Sequence, residues 1–343
     1  MDVAGCLEEG WLAHPFVIRR RIRMRIKADI TALGELLIDF TPAGVSQQGM
    51  RLFEQNPGGA PANMLAAAAK FGLKTAFIGK VGRDMHGDFL RETLVKAAIN
   101  TENLIQDDRY FTTLAFVSLK ENGEREFSFS RKPGADTQLC MKEVDKSILE
   151  NTRVFHVGSL SLTDDPSRTA TYEALNLAKS SGALISYDPN YRAALWSDAE
   201  TAQLRMQSVI PYVDIMKISD EETALLTPYE DPEEALRYLI RQGVRLAAVT
   251  LGRDGALIGN ANGIVKAEGF SSQVVDTTGA GDSFWGGFTA SFLQAETEPE
   301  HLTRGQMIEF GRVGNAVASL CVEHRGGISA IPEMEEIKER LGK

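Results

Sequence analysis

The chain has few cysteines, only three in 343 residues, at positions 6, 140 and 321. Their wide spacing offers neither a zinc-binding pattern nor a disulfide framework, which suits a reducing compartment, the cytoplasm. No uncharged apolar run approaches the ~18 residues that a membrane-spanning helix needs. Positive charge is also in short supply: 37 Lys and Arg face 47 Asp and Glu, a net charge of −10. A nucleic-acid surface is therefore a poor expectation. No repeat of fixed period and no low-complexity tract appears. After the first predicted strand there is no G-x-G-x-x-G, the fingerprint of a dinucleotide fold, which argues against an oxidoreductase. What remains is an ordinary globular composition, 43% apolar and 24% charged, long enough for one large α/β domain with an attachment or for two domains.

The basic residues are unevenly placed. Residues 1–27 carry six of them and three acids, a net of +3, which leaves −13 for the rest. The following apolar stretch contains Glu35 and Asp39 and no small-residue cleavage site, so it does not read as a signal peptide. "MRIKADITALGE", from Met24, resembles a protein start leading into a strand. Residues 1–23 are expected to be a disordered or artefactual extension, and 24–343 the functional domain.

Residues 29–40, "DITALGELLIDF", read as one buried strand. "NPGGAPANMLAAAAKFGLK" (56–74) reads as a Gly-rich loop, Pro61 just inside a helix, and a stop at Gly72. A strand at 75–82 and a helix over 84–100 follow. At 110–131 two β runs flank Glu-Asn-Gly-Glu, a hairpin signal. Strands are then expected near 153–157, 183–188, 212–217, 245–250 and 255–259, with helices between. This rhythm predicts a doubly wound, mostly parallel sheet flanked by helices, with a small β appendage, and ligands at the carboxyl ends of the strands.

Six stretches carry candidate chemistry. In "DTTGAGDSFWGGF" (276–288), Phe284, Trp285, Phe288 and Phe292 mark the buried face of a helix starting near Ala280. The amides of Gly279, Ala280 and Gly281 can form an anion site at its N-terminus. Asp282 is then either a first-turn acid stabilising the helix or a base beside a bound phosphate. "VTLGRDGALI" (249–258) places Thr250, Gly252 and Gly255 at a turn that serves either as a plain hairpin or as a nucleotide-facing backbone. Gly58, Gly59 and Asn63 lie before and just inside a helix, and Asp39 ends a strand, where a carboxylate can take two hydroxyls. In "SYDPNYR", Asp188 and Asn190 read as turn formers and Arg192 as a possible clamp for an anion or polyol. In "IMKISDEETALL", Ser219 or Asp220 caps a helix and Glu222 sits in its first turn.

Together and in this order, these stretches resemble the ribokinase-like (PfkB) carbohydrate kinases over residues ~26–340. "DTTGAGDSF" resembles the family's C-terminal signature and "NPGGAPANMLAAAAKFGLKTAFIGKVGRDMHGDFL" its N-terminal one. "GELLIDF", "GGAPAN", "SYDPNYR" and "SDEE" look most like its fructokinase branch. The resemblance implies an ATP- and Mg²⁺-dependent kinase making fructose 6-phosphate. Asp282 would be its general base and Gly279–Gly281 its anion hole. Asp39, Gly58, Gly59 and Asn63 would bind the sugar, alongside Arg192. Thr250, Gly252 and Gly255 would form the nucleotide loop, with Asn315 near the adenine. Glu222 would organise Mg²⁺ indirectly, with Ser219 where the family has Asn. Asp276 and Thr278 would belong to a monovalent-cation (K⁺) site. Residues 40–55 and 110–131 would form a β lid that closes on the sugar and clasps a homodimer. A 2-keto-3-deoxygluconate kinase or another sugar kinase of the family, and a non-catalytic sugar sensor of the same fold, are the alternatives. A ribokinase is disfavoured because Ala60 stands where that enzyme usually has Lys.

Overall fold

The computed structural model describes residues 27–119 and 125–342. The expectations for residues 1–23, and the Asn-Gly turn at 122–123, lie outside these. The described residues form two sheets. The larger has nine strands: β1 (Ala28–Leu33), β4 (Thr75–Gly82), β5 (Ile99–Asp107), β8 (Thr152–Val157), β9 (Leu184–Tyr187), β10 (Ile215–Ser219), β11 (Leu246–Thr250), β12 (Ala256–Asn260) and β13 (Gly263–Ala267). Their spatial order is β13-β12-β11-β10-β9-β8-β1-β4-β5. All neighbours pair parallel except β11–β12 and β12–β13. The order reverses at β1, from which the chain winds outward to β5 on one side and, from β8, on the other. A doubly wound sheet opens its ligand crevice at such a switch point.

Alternate strand residues enter two separate cores, as the two-residue period of a strand requires. Ile30, Phe77, Val154, Ile215 and Leu246 join one, with the helices Ala60–Lys70, Ala280–Gln294 and Arg304–Cys321. Leu33, Ile78, Phe155, Met216 and Ala247 join the other, with the helix Ser167–Ser180. Both faces of the sheet are thus covered, which explains its near-continuous apolar strands.

The smaller sheet has the order β3-β2-β6-β7, from β2 (Leu37–Val45), β3 (Arg51–Gly58), β6 (Leu114–Leu119) and β7 (Arg125–Ser130). Its first strand corrects the reading of 29–40 as one element. The run breaks at Gly34–Leu36, and its two halves enter different sheets. Pro61 packs where a Cβ on Gly34 would lie, 2.6 Å from that point. Asn56-Pro57-Gly58, read as loop, closes β3. The helix expected over 84–100 ends at Lys96, and Ile99 already begins β5, an unpredicted strand, as is β13. Elsewhere the expected strands lie within four residues of those observed.

Candidate active site

The carboxyl ends of β1, β8, β9, β10 and β11 open into a cleft of about 620 Å³, within the range of small-molecule sites. The helix Ala280–Gln294 points its N-terminus into it, and the smaller sheet covers it from one side. In β2, Leu37, Asp39 and Thr41 face the cleft, joined by Val117 of β6 and Phe129 of β7. The alternate residues Phe40 and Phe116 stack on the opposite side at 5.1 Å.

Asp282 is 5% exposed at the start of that helix. Its Oδ2 accepts from Asn63 Nδ2 at 2.8 Å and its Oδ1 from Asn190 Nδ2 at 2.7 Å. Each carboxylate oxygen has two lone pairs, so both retain one for a substrate. Burial pushes the Asp282 carboxyl above the ordinary aspartate value, opposed by Lys217, the Asn63 bond, Arg192 and the Asn190 bond. A raised affinity for protons is what a base needs if it is to take one from a hydroxyl.

No side chain caps the helix, whose N-cap Gly279 has φ 77°. Ala280 N makes a long turn bond to Thr277 O, 3.3 Å. Gly279, Ala280 and Gly281 all line the cleft. Small residues here leave the backbone approachable by an anion, which the helix dipole favours.

Asp39 stands on β2 opposite Asn56 of β3. Its carboxylate swings over Gly58, where a Cβ would come within 2.3 Å of Oδ2. Gly58 therefore makes room for Asp39 rather than lining the cleft, whereas Gly59 does line it. Burial pushes the Asp39 carboxyl up to about 6, with Arg192 pulling it down and Asp276 pushing it up. Arg192 is exposed on the cleft wall, its Nη1 on Tyr191 O at 2.9 Å.

Glu222 is bound on both oxygens: Oε1 accepts from Tyr191 N (2.7 Å), Oε2 from Ser219 N (2.8 Å) and Ser219 Oγ (3.1 Å). Ser219 is thus its capping-box partner, and Asp220 and Glu221 beside it also line the cleft. Thr250 and Gly252 reach the wall at the end of β11. Gly255, at φ 91°, lies behind it against Ala267 O and Gly269 N. Asn315 spends its amide on the carbonyls of Ala267 and Glu268, 2.9 and 3.0 Å, bracing the end of β13. Asp276 ties two loops together, accepting from Thr278 N (2.9 Å) and Gly326 N (3.2 Å).

Sequence reasoning missed four contributors. Lys217 in β10 is 5% exposed, lines the cleft, and donates to Asp188 Oδ2 at 3.0 Å. A lysine inside the apolar strand "IMKIS" was the available signal, since such a charge requires a buried partner. Asp188 and Asn190, read as turn formers, are those partners of Lys217 and Asp282. Gly327 packs against Asn63, where a Cβ would fall 2.3 Å from Oδ1. A second cavity, about 640 Å³ between β7 and residues 194–197, shares only Phe129 and Leu195 with this wall. Asp282 and the helix N-terminus at Gly279–Gly281 line the cleft alone.

An acid oriented by two amides, beside a helix N-terminus in a polar cleft, can remove a proton from a hydroxyl while an anionic group is held next to it. Comparison with known proteins points the same way. Residues 27–334 match the pfkB family carbohydrate kinase model. A probable fructokinase-5 of Arabidopsis thaliana is 39% identical over 306 residues, 88% of this chain and 94% of that protein. The crystal structure of a Xylella fastidiosa fructokinase with bound ATP matches with a TM-score of 0.84 at 30% identity, over 92% of this chain and 98% of that one. A Vibrio cholerae O395 fructokinase with fructose, ADP and calcium bound matches at 0.82 and 31%, over 92% and 99%.

Proposed function

The chain belongs to the pfkB family of carbohydrate kinases, and from that premise we propose that it is an ATP-dependent fructokinase producing fructose 6-phosphate and ADP. It is a phosphotransferase with an alcohol group as acceptor. The observation that carries the mechanism is Asp282, held by Asn63 and Asn190 at the N-terminus of the helix Ala280–Gln294. Asp39 accepts sugar hydroxyls across the cleft, and the 6-hydroxyl faces Asp282. As the hydroxyl oxygen attacks the γ-phosphorus, its proton passes to Asp282 and the bond to the ADP oxygen breaks. The helix N-terminus meets the charge spread over the phosphoryl oxygens. Thr250 and Gly252 border the nucleotide.

The cleft wall carries six carboxylates, on residues 35, 39, 220, 221, 222 and 282, against Arg192 and Lys217. A triphosphate therefore needs a cation to enter. Among the described residues no cluster of three His, Cys, Asp or Glu could hold a metal, and Glu222 is committed to backbone. These residues fit Mg²⁺ bound largely through water, which Glu222 would order indirectly. The ion would withdraw charge from the phosphate oxygens. Asp276 and Thr278 are the candidate residues for K⁺. Phe40, Phe53 and Phe116 form an aromatic cluster on the smaller sheet, with Phe53 and Phe116 42% and 38% exposed. We assign this sheet as a lid and a homodimer contact, and place the enzyme in the cytoplasm. None of the described helices is long and apolar enough to cross a membrane.

The test is ADP release with ATP and Mg²⁺ across fructose, ribose, glucose, tagatose and 2-keto-3-deoxygluconate. Fastest turnover on fructose is expected. Preference for the keto-acid would move the substrate assignment, and no turnover with ATP still bound would favour a sensor.

A further inference from the structure

Lys217 is the one buried cation on the cleft wall among the described residues; Arg192, the other cation there, is exposed. Its position is defined from two sides. Nζ donates to Asp188 Oδ2 at 3.0 Å, and both side chains are at most 6% exposed. On the other side it lies against Gly281, where a Cβ would come within 2.6 Å of Nζ. The ammonium therefore sits beside the backbone of the anion site, on the helix turn that carries Asp282.

We propose that Lys217 is a further catalytic residue of this kinase, its ammonium contacting the phosphoryl group while it passes from ATP to the sugar; the proposal rests on the kinase reading above. A bidentate contact is not required of it. Lysine supplies a compact point charge with three donors. One donor is held by Asp188, and two remain for anionic oxygens. Asp188, reached through Lys217, is a positioning residue. Its other oxygen, Oδ1, is buried without a partner, so the carboxylate is placed for the lysine and little else.

The charge arrangement supports this. Burial alone would lower the affinity of Lys217 for its proton, but the carboxylates of Asp188, Glu222 and Asp282 outweigh that and raise it. The nitrogen stays protonated throughout the reaction. The sugar hydroxyl proton goes to Asp282, the new bond joins the sugar oxygen to phosphorus, and ADP departs with the electron pair of the broken bond. Lys217 neither gives nor takes a proton. A fixed cation at this point needs no reorganisation as charge moves across the phosphoryl oxygens. The arrangement also gives Gly281 a second reason to be glycine, since a side chain there would displace the ammonium.

The experiment compares the full chain with Lys217→Met and with the double variant Lys217→Met/Asp188→Asn, which removes the Asp188 carboxylate together with the cation it holds. Turnover with fructose, ADP binding, and the thermal shift added by aluminium fluoride to the protein with Mg²⁺, ADP and fructose are measured. Removing one preorganised donor from such a site costs ~10²–10³-fold in turnover. That loss is expected in both variants, with the sugar KM and ADP affinity within ~3-fold of wild type and the aluminium fluoride increment abolished. A purely structural ion pair predicts otherwise. The double variant would then recover turnover to within ~3-fold, or keep the aluminium fluoride increment, and either result overturns the proposal. A wild-type protein that phosphorylates no sugar fails the kinase reading and the proposal with it; active wild type with active variants fails the proposal alone.

Discussion

Replacing Glu35 with Gln should flatten the pH dependence of stability. Glu35 lies in the break between β1 and β2, 3% exposed. Oε1 accepts from Ala60 N at 2.9 Å, at the start of the helix Ala60–Lys70, and Oε2 is buried without a partner. Burial pushes its carboxyl from 4.5 up to about 7; the amides of Glu35 and Ala60 and the Arg131 charge pull it down, and Asp136 pushes it up. The folded value therefore lies above the unfolded one. The protonated acid stabilises the fold fully below pH ~4.5, and that contribution disappears as pH rises through 7. At ~1.4 kcal/mol per unit the shift is worth roughly 3 kcal/mol. With an unfolding entropy of ~2.1 cal/mol/K per residue, a chain of this length converts that into a Tm change of about 4 °C. Gln keeps an oxygen for Ala60 N and cannot ionise. Melting both proteins from pH 5 to pH 8.5 should show the wild type losing about 4 °C relative to Glu35→Gln. Parallel curves would refute the argument, because all other titrating groups are shared.

Two other substitutions test the cleft. Asp39→Ala removes an acceptor for two hydroxyls and should raise the sugar KM by ~10–100-fold; in the wild type, KM should fall as pH rises through 6, where Asp39 ionises. A KM that is unchanged by the substitution removes Asp39 from the sugar site. Gly327→Ala puts a Cβ 2.3 Å from Asn63 Oδ1 and should pull Asn63 away from Asp282, lowering kcat by ~10–100-fold with little effect on KM. An unchanged kcat would mean that the Asn63–Asp282 bond does not orient the base.

Much of this was legible in the sequence because local rules and global fold agree there. The helix at Ala280 announced itself through glycines followed by Phe284, Trp285, Phe288 and Phe292, all at most 1% exposed. The break at Gly34 was hidden because the run 29–40 is apolar on both sides of it, and a single glycine does not say that the chain changes sheets. β5 was hidden because "INTENLIQD" follows a helical pattern and alternates only weakly in burial. The pairings Asn63–Asp282 and Lys217–Asp188 join residues 219 and 29 positions apart. Such contacts depend on strand order, which a single sequence does not state. Asn190 looked like turn chemistry because it is that as well, at φ 49°.

The most direct test of the central claim is Asp282→Asn, assayed for fructose-dependent ADP release beside separate measurements of fructose and ATP binding. The variant should bind both and lose ~10²–10⁴-fold or more in turnover, the range assigned to positioned proton transfer. Near-normal turnover in that variant would contradict it, and the base would have to be sought elsewhere in the cleft.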